Sequence, residues 1–227
     1  MTDTILLILI LVPCLVIAIV FHEVAHGWTA LALGDSTAKE QRRLSLNPIR
    51  HVDPIGTLLV PGALAFFGGP IFGWAKPVPI NRRRLRNPRY GMMAVAAAGP
   101  GSNLIMAGAG AVVIGLLGVD MMVPQEGALG FAAAALYYFI TINIFLALFN
   151  LLPIPPFDGS HIVEGMLPRS LAAQYAKFQQ LGMLVIVLLV GVTWAFPEWG
   201  LLEHIVLPPV EWLQGKYFAL AAAIAGR

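Results

Sequence analysis

Apolar positions follow one another almost without a break from Ile5 to Leu33, a run longer than the ~20 residues a membrane-crossing helix needs. It is interrupted only by small residues and by one polar group, His22, Glu23 and His26. Met92 to Leu117 and Gly130 to Leu152 are two further runs, joined by a turn holding Asp120, Pro124 and Glu126, and they read as a helical hairpin. Leu181 to Phe196 predicts a fourth span. A weaker stretch, Leu201 to Ala225, is broken by Pro208 and Pro209 and stays open between crossing the bilayer and lying in its interface.

One apolar stretch breaks the pattern. IGTLLVPGALAFFGGPIFGWA, residues 55–75, is apolar enough for membrane depth but is cut by Pro61, Gly62, Gly68, Gly69, Pro70 and Gly73, so a continuous helix is not expected. Positive charge flanks it on both sides, which predicts a re-entrant segment that enters and leaves on one face. Irregular backbone at that depth must be covered by protein or line a wet cavity. The expected fold is an all-α polytopic helical bundle of four to six membrane segments with a re-entrant, irregular or β-like insertion, forming one domain over residues 1–227.

Composition agrees: 58% of residues are apolar and 11% charged. The opening segment has no Lys or Arg ahead of its apolar run and no small-residue cleavage pattern, so it reads as a retained helix and not a signal peptide. Of the 14 Lys and Arg residues, four lie between Lys39 and Arg50 and six between Lys76 and Arg89, with Arg169 and Lys177 in a third connection. The positive-inside rule makes these connections cytoplasmic and puts the N-terminus, the 119–127 turn and the 197–204 turn outside. A net charge of +2 and the lack of a basic, aromatic stripe argue against nucleic acid as a partner. The single cysteine, Cys14, excludes a disulfide framework. Ala107, Ala111 and Gly115 recur every fourth residue and read as a helix-packing stripe.

The polar group on the first helix carries the chemistry. His22 and His26 are one turn apart and project from one face with Glu23 beside them, the H-E-x-x-H zinc signature. Three ionisable groups within one membrane helix point to a polar interior and a functional partner. A rise of ~1.5 Å per residue puts His22 about 25 Å from Ile5 and His26 about 10 Å from Leu33, toward the cytoplasmic half. Catalytic zinc usually has three protein ligands and one exchangeable position. Asp158, His161 and Glu164 follow a span on the correct side. NLLPIPPFDG ends that helix at a proline-rich break from which Asp158 can point back into the bundle, so Asp158 is the favoured third ligand. A helix cap or Asx turn is its structural alternative.

Glu23 is the expected proton carrier. Asn150, just before the break, is a candidate amide donor to an oxyanion, or else makes an interhelical hydrogen bond as expected of Asn103. Asn143 falls on the same helical face as Asn150. His51 and Asp53 read mainly as loop-fixing groups, and His161 and His204 as structural or solvated. The re-entrant segment and GWAKPVPI, residues 73–80, are the expected edge for an extended substrate.

These residues resemble the site-2 proteases, a family of intramembrane zinc metalloproteases. HEVAHGW at His22–Trp28 is similar to the family's zinc helix and NLLPIPPFDG at Asn150–Gly159 to its second signature, with LNPIRHVDPIGT, GWAKPVP and AAGPGSN as further likenesses. The resemblance implies one zinc ion on His22, His26 and Asp158, Glu23 as catalytic carboxylate, and Asn150 orienting substrate. It further implies cleavage of membrane-anchored proteins or peptides at the cytoplasmic side of a cell membrane, a prokaryotic inner membrane by expectation. No PDZ or other regulatory domain is expected here, so the resemblance is to a compact form. Rival readings are a prenyl-protein-processing type of membrane protease with Glu164 as third ligand, a metal transporter, or an inactive scaffold. The absence of a visible internal repeat argues against the transporter, and the presence of Glu23 argues for catalysis.

Overall fold

A computed structural model describes residues 2–66, 73–119, 127–200 and 204–226. Among the described residues three single helices are long and apolar enough to cross a membrane: α1 (Thr2–Ala32), α4 (Pro88–Leu117) and α5 (Gly127–Asn150). Local chemistry fixes their ends. Asn87 caps α4 by accepting from the Arg89 and Tyr90 amides, Pro88 sits at the first turn where its missing N–H is harmless, and Gly118 closes the helix at φ 63°. Ile5, Leu9, Val12 and Val16 of α1 are exposed, as they are on a helix that faces lipid. No strand occurs among the described residues, and the protein is an all-α polytopic membrane protein.

The central helix is α4, which packs on both α1 and α5. Ala107 and Ala111 are fully buried, and a Cβ on Gly115 would lie 2.7 Å from the Ala221 carbonyl oxygen, so the small-residue stripe allows close approach of a neighbouring backbone. That neighbour is the C-terminal helix α9 (Leu207–Ile224), with Pro208 and Pro209 in its first turn. Gln214 of α9 donates to Thr141 at 2.6 Å, Phe218 stacks on Tyr137, and the Tyr217 hydroxyl donates to the Leu104 carbonyl at 2.9 Å. α9 therefore runs antiparallel to α5 and parallel to α4. It begins level with Phe145 and Leu148, near the end where α5 finishes.

Between them come α6 (Asp158–Met166), α7 (Arg169–Gln179) and α8 (Gly182–Ala195), the last two bent by 61°. At ~1.5 Å per residue α8 alone is about 21 Å long, short of a ~30 Å hydrocarbon core. Taken with α7 as one bent unit it is long and apolar enough to count as a further span, so the described residues hold three or four candidate crossings.

The insertion after the first basic loop differs from expectation. Its first limb is helical, a π-helix over Pro54–Leu59 continuing into α3 (Val60–Phe66), not irregular or β-like. The breakers fall where a helix tolerates them. Asp53 caps the limb by accepting from Ile55 and Gly56, Pro54 occupies the first turn, and Pro61 lies where the wider π turn passes into α. Pro61 has no N–H to offer the Gly56 carbonyl five residues back, and that carbonyl instead accepts from Trp74 at 3.0 Å. With Lys76 N–H on the His51 carbonyl at 2.9 Å, the two limbs are tied together at their base. Gly68, Gly69 and Pro70 lie outside the described residues.

Candidate metal centre

His22 and His26 project from α1 toward α4, and Gly99 makes room for them. A Cβ there would stand 2.6 Å from His22 Cε1 and closer still to the His26 ring. Each imidazole is fixed through Nδ1. His26 Nδ1 lies 2.7 Å from the Val95 carbonyl oxygen, an acceptor only, so this nitrogen donates. His22 Nδ1 lies 2.7 Å from Asn103 Oδ1. The amide orientation follows from its other contacts: Asn103 Nδ2 faces the Ala18 carbonyl at 3.1 Å and Asn143 Oδ1 at 2.8 Å, both acceptors. Asn103 Oδ1 therefore faces His22, and His22 Nδ1 donates too.

Both Nε2 lone pairs then point the same way. The two Nε2 atoms are 3.0 Å apart, and Asp158 Oδ2 is 3.1 Å from one and 3.3 Å from the other. Asp158 Oδ2 is buried and accepts no hydrogen bond among the described residues. Two lone pairs and a carboxylate oxygen crowded together repel unless a positive charge lies between them. The spacings approach the ~3.4 Å edge of a tetrahedron with ~2.1 Å bonds, so the donor set fits zinc. Among the described residues, these are the three side chains gathered closely enough to hold a metal.

The proline break aims Asp158. α5 ends at Asn150, the Tyr175 hydroxyl donates to the Pro153 carbonyl at 2.7 Å, and α6 starts at Asp158 itself. Gly159 lies against the Leu151 and Leu152 carbonyls, leaving no space for a side chain. Farther along α6, Glu164 pairs with Arg82 at 2.7 Å, and the Arg89 guanidinium donates to the Gly165 and Leu167 carbonyls. The second basic loop thus clamps the helix that carries Asp158.

A cavity of about 220 Å³ opens on the cluster, lined by His22, Glu23, His26, Val78, Asn150 and His161 among others. Glu23 Oε2 accepts the Val78 N–H at 2.8 Å. Asn150 Nδ2 donates to the Leu146 carbonyl at 2.9 Å, leaving its second N–H. Residues 73–80 form no strand: Pro77 and Pro79 lack N–H groups, and Trp74, Lys76 and Val78 have theirs engaged. As an edge this segment offers few donors, and its Trp74 and Lys76 carbonyls already accept from Thr57 and Arg43.

The other candidates lie elsewhere. Asp53 is the helix cap described above, and His51 Nε2 bonds to the Ser45 carbonyl at 2.8 Å, both loop-fixing. His204 Nδ1 bonds to the Gly200 carbonyl. His161 does line the cavity, with Gln179 at 3.3 Å from its Nδ1. Asp120 and Glu126 fall outside the described residues. Sequence reasoning missed the bond between Asn103 and His22. Its signal was a carboxamide among small residues in AAGPGSN, inside an apolar span.

Comparison with known proteins decides the family. YwhC of Bacillus subtilis (strain 168), whose name assigns it to the zinc metalloproteases, is 39% identical over 197 residues, covering 85% of this chain and 85% of that protein. The chain belongs to peptidase family M50. The M50 sequence profile itself matches residues 118–192, which include the Asp158 signature. Rip2 of Mycolicibacterium smegmatis, also named as a zinc metalloprotease, is 27% identical over 185 residues, covering 78% of this chain and 64% of its own length. No solved structure matches. Membership of M50 places the chain among metalloproteases, and the His22, His26 and Asp158 cluster is its candidate metal site.

Proposed function

We propose that this M50 chain, as one membrane-embedded domain over residues 1–227, is a zinc endopeptidase that cuts membrane-anchored proteins within the bilayer, toward its cytoplasmic face. The observation that carries the reading is the convergence of three lone pairs, from His22, His26 and Asp158, beside the carboxylate of Glu23 in one cavity. Glu23 is not needed to hold metal, and its presence there favours catalysis over transport or scaffolding. The prenyl-processing alternative needs a later glutamate as ligand, and the pairing of Glu164 with Arg82 speaks against it.

Zinc held on these three residues supplies Lewis acidity, making water nucleophilic near neutral pH and polarising the scissile carbonyl. Glu23 keeps Oε2 on the Val78 N–H and uses Oε1 to take the proton from the attacking water, later returning it to the departing amine. The remaining Asn150 N–H donates to the carbonyl oxygen as negative charge develops. A helical substrate must unwind to present its peptide bond, and residues 73–80 can steady the extended chain through carbonyls other than those of Trp74 and Lys76. The excess of Lys and Arg in the 39–50 and 76–89 loops supports a cytoplasmic position for this end and an outside N-terminus.

The test is zinc analysis of purified wild type and Glu23→Gln together with cleavage of a single-span substrate. Both proteins should hold one zinc ion, wild type alone should cleave, and chelation should stop wild-type cleavage until zinc is restored. A zinc-free wild type, or full turnover by Glu23→Gln, overturns the reading.

A further inference from the structure

Three spans meet at the Asn103 carboxamide, which is fully buried, as is Asn143. The hydrogen bonds around it run in one direction. His22 Nδ1 donates to Asn103 Oδ1 at 2.7 Å, Asn103 Nδ2 donates to Asn143 Oδ1 at 2.8 Å, and Asn143 Nδ2 donates to the Phe139 carbonyl at 2.8 Å. A second Asn103 N–H goes to the Ala18 carbonyl, one turn before His22 on the same helix. Reversing the Asn103 amide would set its nitrogen against the donating Nδ1 and its oxygen against two acceptors. Reversing Asn143 would point donor at donor and oxygen at oxygen. The chain therefore has one satisfied state, anchored at a backbone carbonyl of α5 and ending at the imidazole of α1.

We propose that Asn103, oriented by Asn143, is a positioning residue for the metal centre: it fixes the His22 ring and tautomer so that Nε2 presents its lone pair toward His26 and Asp158. The inference rests on the zinc reading above. It distinguishes the two histidines. His26 is set by a main-chain oxygen that no substitution removes, whereas His22 depends on a side chain from α4 that itself depends on one from α5. A hydrogen bond that merely joined helices would not need its acceptor oxygen on the histidine. Here that oxygen is the part that sets Nε2, and the two N–H groups set the oxygen. Outer partners of this kind typically change metal affinity by ~10–100-fold when removed.

The experiment is zinc affinity by competition with a chromophoric chelator, measured on the detergent-solubilised full chain as wild type, Asn103→Leu, Asn103→Asp and Asn143→Leu. Thermal unfolding and the visible spectrum of the cobalt-substituted proteins are recorded alongside. Asn103→Leu should bind zinc about 10–100-fold more weakly and shift the cobalt bands. Asn103→Asp keeps an oxygen for His22 Nδ1 while losing the donors to Ala18 and Asn143, so it should unfold earlier yet hold zinc close to wild-type affinity. Asn143→Leu should fall between wild type and Asn103→Leu, and it decides the matter if Asn103→Leu does not fold. Wild-type affinity and cobalt spectrum in Asn143→Leu or Asn103→Leu, or an Asn103→Asp loss as large as that of Asn103→Leu, overturns the proposal and leaves Asn103 a helix-packing residue. Such a result, with zinc on the wild type, leaves the protease reading standing. A wild type that takes up no zinc removes both.

Discussion

Replacing Gly99 by alanine adds one methyl group to α4 at the point where it faces both histidines. The new Cβ would lie 2.6 Å from His22 Cε1 and nearer to the His26 ring, against about 3.4 Å for ordinary contact, a shortfall of about 0.8 Å. Neither ring can turn away without breaking its Nδ1 bond to Asn103 or Val95, so α4 must withdraw from α1 or an imidazole must leave the cluster. Overpacking of this kind destabilises by about 1–3 kcal/mol, and misplacing reacting groups by ~1 Å can lower turnover about 100-fold. Gly101, two residues on, has open space around its missing Cβ and serves as the control. There alanine should be neutral or stabilise by up to about 1 kcal/mol through helix propensity. The assay is single-span substrate cleavage with zinc content and thermal midpoint measured on the same preparations. A Gly99→Ala protein with wild-type turnover and zinc would refute the close packing of α4 on the metal histidines.

Asp158→Ala should lose most bound zinc and all cleavage, while Glu164→Ala should keep zinc and lose part of its activity through a loosened α6; elemental analysis showing the reverse would move the third ligand to Glu164. Reporters fused after Arg43, Arg86 and Lys177 should read cytoplasm, and one near Glu126 should read outside. Because α9 runs parallel to α4, a C-terminal reporter should match the one at Glu126, and a cytoplasmic signal there would refute that direction. Asp35 is buried between loops; burial raises its pKa, but hydrogen bonds from Thr37 and Asn81 and the nearby Arg84 charge outweigh this and hold it below the usual carboxylate range. Its stabilising contribution should be complete above about pH 4 and disappear as pH falls through the depressed native value. The thermal-midpoint difference between wild type and Asp35→Asn should shrink in that acid range, and a pH-independent difference would count against an ionised Asp35.

The metal ligands were legible because helical spacing and chain breaks are local properties. His22 and His26 share a face by periodicity alone, and prolines at 153, 155 and 156 announce that Asp158 follows a helix end. Asn103 was less so: a buried amide in a span reads as an interhelical bond, and nothing in its neighbours says that the partner is a histidine 81 positions away. The limb over residues 54–66 was misread because proline and glycine were counted as breaks. Proline at a first turn, or where a π turn relaxes into α, interrupts nothing. The direction of α9 depends on Tyr217, Gln214 and Gly115 finding their partners, long-range packing that apolar periodicity does not encode.

α1 runs antiparallel to α4 and α9 runs parallel to it, so the start of α1 and the finish of α9 share the end of the bundle remote from His22, His26 and Asp158. That arrangement suits immobilisation. A protein captured on a solid support through the start of α1 or the finish of α9 would hold its metal end away from the support, open to soluble chelators and peptides.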